Sequence, residues 1–298
     1  MPTRRSFLKQ ASFAATALLI KQDSSWFEKE QLIGLQLYTV RDEIYKNVPD
    51  TIAKVAEAGY NSVELFGYSK GKFFGLTPAE YLAIIKRHAL RTPSGHYDMK
   101  DFLSKGDDDQ LKRTVADAAK MGHDFFVVPY LTDDQRTGLD DYKKLALKLN
   151  RAGEEVKKAG MSLAYHNHNF EFQDWGGGKT GFEIFVKETD PALVSFEMDI
   201  YWVTRAGRNP ITLIKENPNR IKMWHIKDMR VKQTASFDTG GDQAFTEVGT
   251  GVIDYREIFK YRKESGLRYF FVEQDHTSLP VFESIAKSYQ YVKNHILA

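Results

Sequence analysis

The sequence predicts an α/β fold, a single (β/α)8 TIM barrel preceded by an N-terminal export signal. Three observations carry this. Short apolar runs alternate with amphipathic helical stretches along the whole chain, and such alternation builds a parallel sheet with right-handed crossovers. Four runs end in polar residues two apart: His166/His168, Glu197/Asp199, His225/Lys227 and Glu273/Asp275. Strand positions i and i+2 share a face, so each pair points one way at one strand end. With a leader set aside, about 270 residues remain, close to the roughly 250 of one such barrel. A doubly wound open sheet is the alternative, but no Gly-x-Gly-x-x-Gly follows the first strand.

The elements follow in order. Residues 1–30 read as a twin-arginine-type signal and short linker: Arg4-Arg5-Ser6-Phe7-Leu8-Lys9, then an apolar stretch from Ala11 to Ile20. That stretch is too short to span a bilayer as an ordinary helix and suits a signal h-region. The expected location is therefore periplasmic or otherwise exported, with no stable membrane span after processing. Residues 31–298 form the barrel. Gln31 to Val40 is the first strand, with Gln36 and Tyr38 towards its end; Val48 to Ala58 is a helix stopped by Gly59. Tyr60 to Phe66 is a strand carrying Glu64. Thr77-Pro78-Ala79-Glu80 reads as a capping box with Pro at the first helical position. Thr92 to Tyr97 carries His96, and Asp107-Asp108-Asp109 opens a helix. Strands at Asp124–Tyr130, Met161–His168, Leu193–Asp199, Ile221–Lys227 and Tyr269–Glu273 follow, separated by helices and followed by a last one from about Pro280. The longest irregular segment, Met229 to Ile253, lies after the seventh strand, where long barrel loops are usually functional.

Composition narrows the function. The chain has 298 residues, no Cys and a formal net charge of +2. Near-neutrality argues against nucleic-acid binding, which needs clustered Lys and Arg. In barrels of this type the active site lies at the C-terminal strand ends, where every polar pair falls. A His, an Asp, a His and a Glu gathered there make a mixed nitrogen and oxygen site, suited to Mn, Zn, Co or Fe rather than Ca. Mg is also left open. Glu197 has inward parity but lies one layer deeper than Asp199, as an outer-sphere partner or a core-paired acid.

The motifs Tyr165-His166-Asn167-His168, Met198-Asp199-Ile200-Tyr201-Trp202, Trp224-His225-Ile226-Lys227-Asp228, Gly249-Thr250-Gly251-Val252-Ile253-Asp254 and Val272-Glu273 together resemble the sugar phosphate isomerase/epimerase family, the xylose isomerase-like TIM barrels. The resemblance covers about residues 31 to 297. It implies metal ligands at Asp199, His225 and Glu273, with His166 in the fifth-strand position where epimerases of the family carry Glu. Metal-bound His166 cannot serve as the base there. His168 is the better base, or Glu171 if the chain bends inward, and dehydratase relatives resemble this arrangement more.

The chemistry expected is proton abstraction beside a carbonyl through a metal-stabilised enediolate, on a sugar or keto-sugar. The expected function is a sugar isomerase or epimerase, in which the proton returns to carbon. The alternative is a lyase or hydratase acting on a 3-keto-glycoside or related keto-sugar, in which a β-substituent is lost from the same site. Lys227 would stabilise charge on the enolate. Gln36, Tyr38, Glu64, His96 and Trp202 are the substrate-binding candidates. A sugar-binding barrel without catalysis is the third reading. DNA chemistry is disfavoured by the neutral charge and by the lack of a second ligand cluster. A homo-oligomer is compatible with the sequence.

Overall fold

The computed structural model describes residues 32–240 and 244–298. The expected leader lies outside the described residues. Eight parallel strands close a barrel: β1 (Gly34–Gln36), β2 (Ser62–Leu65), β3 (Arg91–His96), β4 (Phe125–Val128), β5 (Ser162–His166), β6 (Val194–Asp199), β7 (Ile221–Ile226) and β8 (Tyr269–Val272). Each strand pairs with its neighbour in sequence, and β8 returns to β1 through Gly34 opposite Phe271.

The connecting helices are set by local chemistry. Thr77 caps Pro78–Arg87 with the reciprocal Glu80 bond expected from the sequence, and Asn47 caps Val48–Glu57 with Pro49 in the first turn. The 20-residue helix Leu139–Lys158 buries Tyr142, Leu145, Leu149 and Val156 on one face, the stripe an amphipathic helix presents to a core.

Side-chain parity divides the strands into two packing layers. Outward residues meet the helices: Tyr165 packs edge-on to Phe185 and Trp224 to Phe259. Inward residues fill the barrel from below, where Phe125, Val127, Ala164, Met223 and Phe271 form a dry apolar cluster. Ala164, Met223 and Phe271 lie two residues before His166, His225 and Glu273, so the polar cluster rests directly on that floor.

Three expectations change. The first strand stops at Gln36 because the Gln36 side chain accepts the Tyr38 N–H and turns the chain into the 3-10 helix Leu37–Val40. A short helix, Ile200–Arg205, starts immediately after β6, capped by Asp199 accepting the Trp202 N–H. The helix expected from Tyr255 to Glu264 is interrupted by a 3-10 turn at Phe259–Tyr261.

The long segment after β7 is pinned at its base. Asp228–Met229 pairs antiparallel with Phe245–Thr246. The buried Asp228 carboxylate accepts the backbone N–H groups of Met229, Gly249, Gly251 and Ile253. Gly251 is required there: a Cβ would meet Asp228 Oδ1 at 2.3 Å. No helix among the described residues is long and apolar enough to cross a membrane. Asp228→Ala strands these four donors and should cost about 3 kcal/mol or more. Denaturant unfolding, together with faster proteolysis within residues 230–253, measures it.

Candidate metal and catalytic centre

The strand ends deliver a buried network of imidazoles and carboxylates. His166 ends β5 and stands level with Glu197 on β6, whereas Asp199 stands level with His225 on β7. The strands are staggered, as barrel closure requires, so His166 belongs partly to a deeper layer than Asp199. His166 Nδ1 lies 3.0 Å from Glu197 Oε2, and its Nε2 lies 3.7 Å from Asp199 Oδ2. His225 divides its nitrogens the same way. Its Nδ1 is 2.7 Å from Glu273 Oε2, and its Nε2 is 2.6 Å from Glu64 Oε2.

Two sets of ligand atoms result, each within 4.8 Å of one another: Asp199, His225 and Glu273 above, and His96, His166, Glu197 and His225 below. The second set overturns the expectation that no further ligand cluster exists. Its signal was present in the inward parity of Glu197, but its depth depends on the stagger between strands. The upper set fits a divalent metal by donor chemistry, imidazole nitrogen with carboxylate oxygens. Glu197 Oε1 is buried without a hydrogen-bond partner, an acceptor that a cation would satisfy, and Asp199 Oδ2 is met by the Lys227 ammonium at 3.0 Å.

The electrostatics follow from burial. Burial, the largest influence on Asp199, raises its carboxyl to about 6 against the pull of Lys227 and His225. On Glu273 burial is outweighed by Lys227 and His225, which hold it well below the usual carboxylate range. Burial opposes charge on His96, but Glu64 and Glu197 raise it to about 9. His166 is driven well below its ordinary value, first by burial and then by His225.

Lys227 Nζ sits 2.7 Å from Glu273, 3.0 Å from Asp199 and 3.2 Å from Asp275. Burial disfavours its charge, yet Asp199, Asp275 and Glu273 keep it firmly protonated. Asp275, two residues beyond Glu273, completes this ring.

His168 occupies an aromatic cage. Its ring stacks on Phe170 at 5.4 Å, meets Tyr130 edge-on at 5.0 Å and lies 5.6 Å from Trp202. His168 Nδ1 is buried without a partner. Burial first, then Lys227, hold this imidazole neutral, well below its ordinary value. Tyr130 and Phe170 were not singled out by sequence, since cage aromatics look like core.

The remaining candidates fall elsewhere. Glu171 does not join the centre. The chain after β5 turns through Phe170–Phe172, and Glu171 accepts the Tyr165 hydroxyl and the His168 backbone N–H. It therefore braces the His168 turn from behind the strand. Gln36 and Glu64, both fully buried, lie at the floor of the network, where Gln36 Nε2 donates to Glu64 at 2.8 Å and Ser94 Oγ donates at 2.6 Å. His96 Nε2 faces Glu197 at 2.8 Å and Glu64 at 3.2 Å, so it too is tied into the deeper layer. Tyr38 is 40% exposed and packs on Phe66 and Arg41, outside the network, because the strand has already turned. Trp202 lines the wall beside His168 and Lys227. A separate surface cavity of about 510 Å³ lies between helices Gly181–Glu188 and Pro210–Glu216 and shares no residue with the network.

The family model for xylose isomerase-like TIM barrels matches residues 52–295. The chain belongs to that family. A sugar phosphate isomerase/epimerase from Parabacteroides distasonis is 30% identical, superposes with a TM-score of 0.75 and is matched over 88% of this chain and 93% of its own. An inosose dehydratase from Lacticaseibacillus casei is 31% identical over 177 residues, 55% of this chain and 56% of its own length. One from Clostridium beijerinckii is 32% identical over 167 residues, 52% and 54% respectively. The chain thus spans about half the length of these curated relatives. A protein named IOLI, solved with a zinc atom, shares the fold at a TM-score of 0.66 and 16% identity over 88% of this chain and 97% of its own.

Glu171 gives a pH test of this placement. Burial, its largest influence, raises its carboxyl from 4.5 to about 7. The native state therefore holds a proton that the unfolded chain has released, and stability falls as pH rises from 4.5 to about 7. The loss is on the order of 3 kcal/mol. Glu171→Gln mimics the protonated form, so it should flatten Tm against pH across that window and leave activity near wild type. A variant with unchanged pH dependence of Tm would contradict the assignment.

Proposed function

We propose that this chain is a metal-dependent carbon–oxygen lyase acting on a keto-sugar, such as a 3-keto-glycoside, by β-elimination. The observation that carries the reading is the pairing of one free neutral imidazole, His168, with one fixed ammonium, Lys227. Asp199, His225 and Glu273 would hold the divalent ion, with the His166 ring turned towards Asp199 beside them. When bound, that ion supplies Lewis acidity to a substrate carbonyl and an adjacent hydroxyl.

The protein's own groups divide the remaining work. His168 takes the proton from the carbon beside the carbonyl. The C–H electron pair becomes a C=C bond, the bond from the next carbon to its oxygen substituent breaks, and that oxygen leaves with the pair. His168 then returns the proton to the leaving oxygen, releasing water or an alcohol. Lys227 stays protonated among Asp199, Glu273 and Asp275 and offsets the negative charge that develops on the carbonyl oxygen. Trp202 and Tyr130 flank the base and partly shield it.

The relatives named inosose dehydratase support elimination from a cyclic ketone. The relatives named isomerase/epimerase support a second reading, in which the proton returns to carbon. An epimerase acting on both faces of one carbon needs two proton-transferring groups, whereas His166 occupies the position of the fifth-strand carboxylate.

Metal-loaded protein in heavy water, given free ketoses and 3-keto-glycosides, separates the two. Release of the aglycone with an unsaturated ketone as coproduct is expected. Deuterium uptake without release would instead establish the isomerase. His168→Ala should lower either reaction roughly a hundred- to ten-thousand-fold while bound metal is unchanged. Loss of metal in that variant would show that the two histidines have exchanged roles.

The leader is read as directing export, on the strength of Arg4-Arg5 and the apolar stretch after them. Replacing both arginines by lysine should leave the protein in the cytoplasm on cell fractionation. Unchanged export would remove this assignment.

A further inference from the structure

We propose that the barrel binds a second divalent cation, beneath the first, on His96, His166 and Glu197. The proposal goes beyond the lyase reading and does not need it, requiring only that the upper ligands bind their own ion. Four observations lead to it.

The first is geometric. Glu197 Oε2 lies 2.8 Å from His96 Nε2, 3.0 Å from His166 Nδ1 and 3.3 Å from His225 Nε2. Donor atoms around a metal with bonds of about 2.0–2.2 Å stand some 3 Å apart, so His96 Nε2 and His166 Nδ1 already stand at coordination spacing from Glu197 Oε2. The second is the orphaned oxygen. Glu197 Oε1 is buried with no hydrogen-bond partner, on a side chain that is 0% exposed. A buried carboxylate oxygen without a donor is costly, and a cation in the layer supplies what hydrogen bonding does not.

The third is the orientation of the two shared imidazoles. His166 turns Nδ1 to the lower layer and Nε2 to Asp199 in the upper one. His225 turns Nε2 to the lower layer and Nδ1 to Glu273 in the upper one. One ligand can therefore serve each level. His225 coordinates above through Nδ1 and donates Nε2–H to Glu64 at 2.6 Å. His166 coordinates below through Nδ1 and points Nε2–H towards Asp199. A ligating histidine normally gives its other N–H to a carboxylate in this way.

The fourth is charge. Glu64, Glu197, Asp199, Glu273 and Asp275 set five carboxylates against the ammonium of Lys227. Arg41, beside Asp275, adds a second cation. Imidazoles that ligate must be neutral, so three negative charges remain. One divalent ion leaves one of them, and Glu64 and Glu197, whose ion-pair partners are imidazoles alone, carry it. The imidazole and carboxylate donors select Zn, Mn, Co or Fe over Ca. The lower ion has a dry floor beneath it and His166 and His225 above it, so its role is to aim those two rings, not to meet substrate.

Metal stoichiometry decides the matter. The full chain is stripped with chelator, dialysed against Mn or Zn and assayed for bound metal by elemental analysis. Two equivalents per chain are expected, and with Mn the electron paramagnetic resonance spectrum should show a spin-coupled pair. His96→Ala and Glu197→Gln should each lower the count to one and abolish the coupling. Asp199→Asn should also lower it to one, by losing the upper ion.

One equivalent in wild type, lost in Asp199→Asn and kept in His96→Ala, would overturn the second site and leave the proposed function intact. One equivalent lost in His96→Ala and kept in Asp199→Asn would overturn both the second ion and the upper ligand set. No bound metal would overturn both as well. Should a variant fail to fold, wild-type stoichiometry and the Mn coupling still decide.

Discussion

Negative charge buried at the mouth of a closed barrel is the constraint from which the rest of this structure follows. Two unit charges 4 Å apart interact by about 4 kcal/mol at the effective dielectric of a protein, and desolvation adds several kcal/mol per ion. Glu64, Glu197, Asp199 and Glu273 cannot be gathered without positive charge among them. Lys227 answers three carboxylates at once, and without metal the protonated His96 and His225 answer the others, protons that a ligating metal would displace. The apolar floor of Phe125, Val127, Ala164, Met223 and Phe271 makes the demand sharper, because its side chains offer no polar partner from below. The Asp228 clasp holds the long β7 segment against the barrel without contributing a ligand.

Much of this was legible because a strand has a period of two. Parity alone places His166, Asp199, His225, Lys227 and Glu273 on inward faces, and alternation of runs and helices indicates closure. Two kinds of information were not local. The depth of Glu197 relative to His166 depends on the stagger between β5 and β6, which no single strand records. The fate of residues just past a strand depends on which backbone bond the next side chain makes. Gln36 ends its strand by accepting the Tyr38 N–H, and that one bond turns Tyr38 away. Glu171 was placed by the Phe170–Phe172 turn and by the outward Tyr165 hydroxyl, a partner whose parity was readable but whose reach was not.

His166, standing where the family resemblance implies a fifth-strand carboxylate, would change more than one ligand in the proposed site. A carboxylate there adds negative charge and a proton acceptor on that side of the pocket. An imidazole bound through one nitrogen adds neither. In the proposed reaction the acceptor role falls two residues on, to His168, where burial among Phe170, Tyr130 and Trp202, and then Lys227, keep the ring neutral. A base held neutral by burial remains ready at mildly acidic pH, because protonation would require placing a cation in the cage.

Lys227 then decides what one base can do. An ammonium fixed by three carboxylates does not exchange its proton readily, so it acts as a standing charge. In the proposed reaction the proton taken by His168 is given back by His168, on the face from which it came. Returned to the same carbon, it undoes the reaction. Returned to the neighbouring carbon, it moves a carbonyl along the chain. Returned to a departing oxygen, it completes an elimination that release of the leaving group drives forward. Inversion of the first carbon is the outcome least served by this arrangement, which is why the exchange of Glu for His at the fifth strand and the ring of acids around Lys227 belong to one chemical choice.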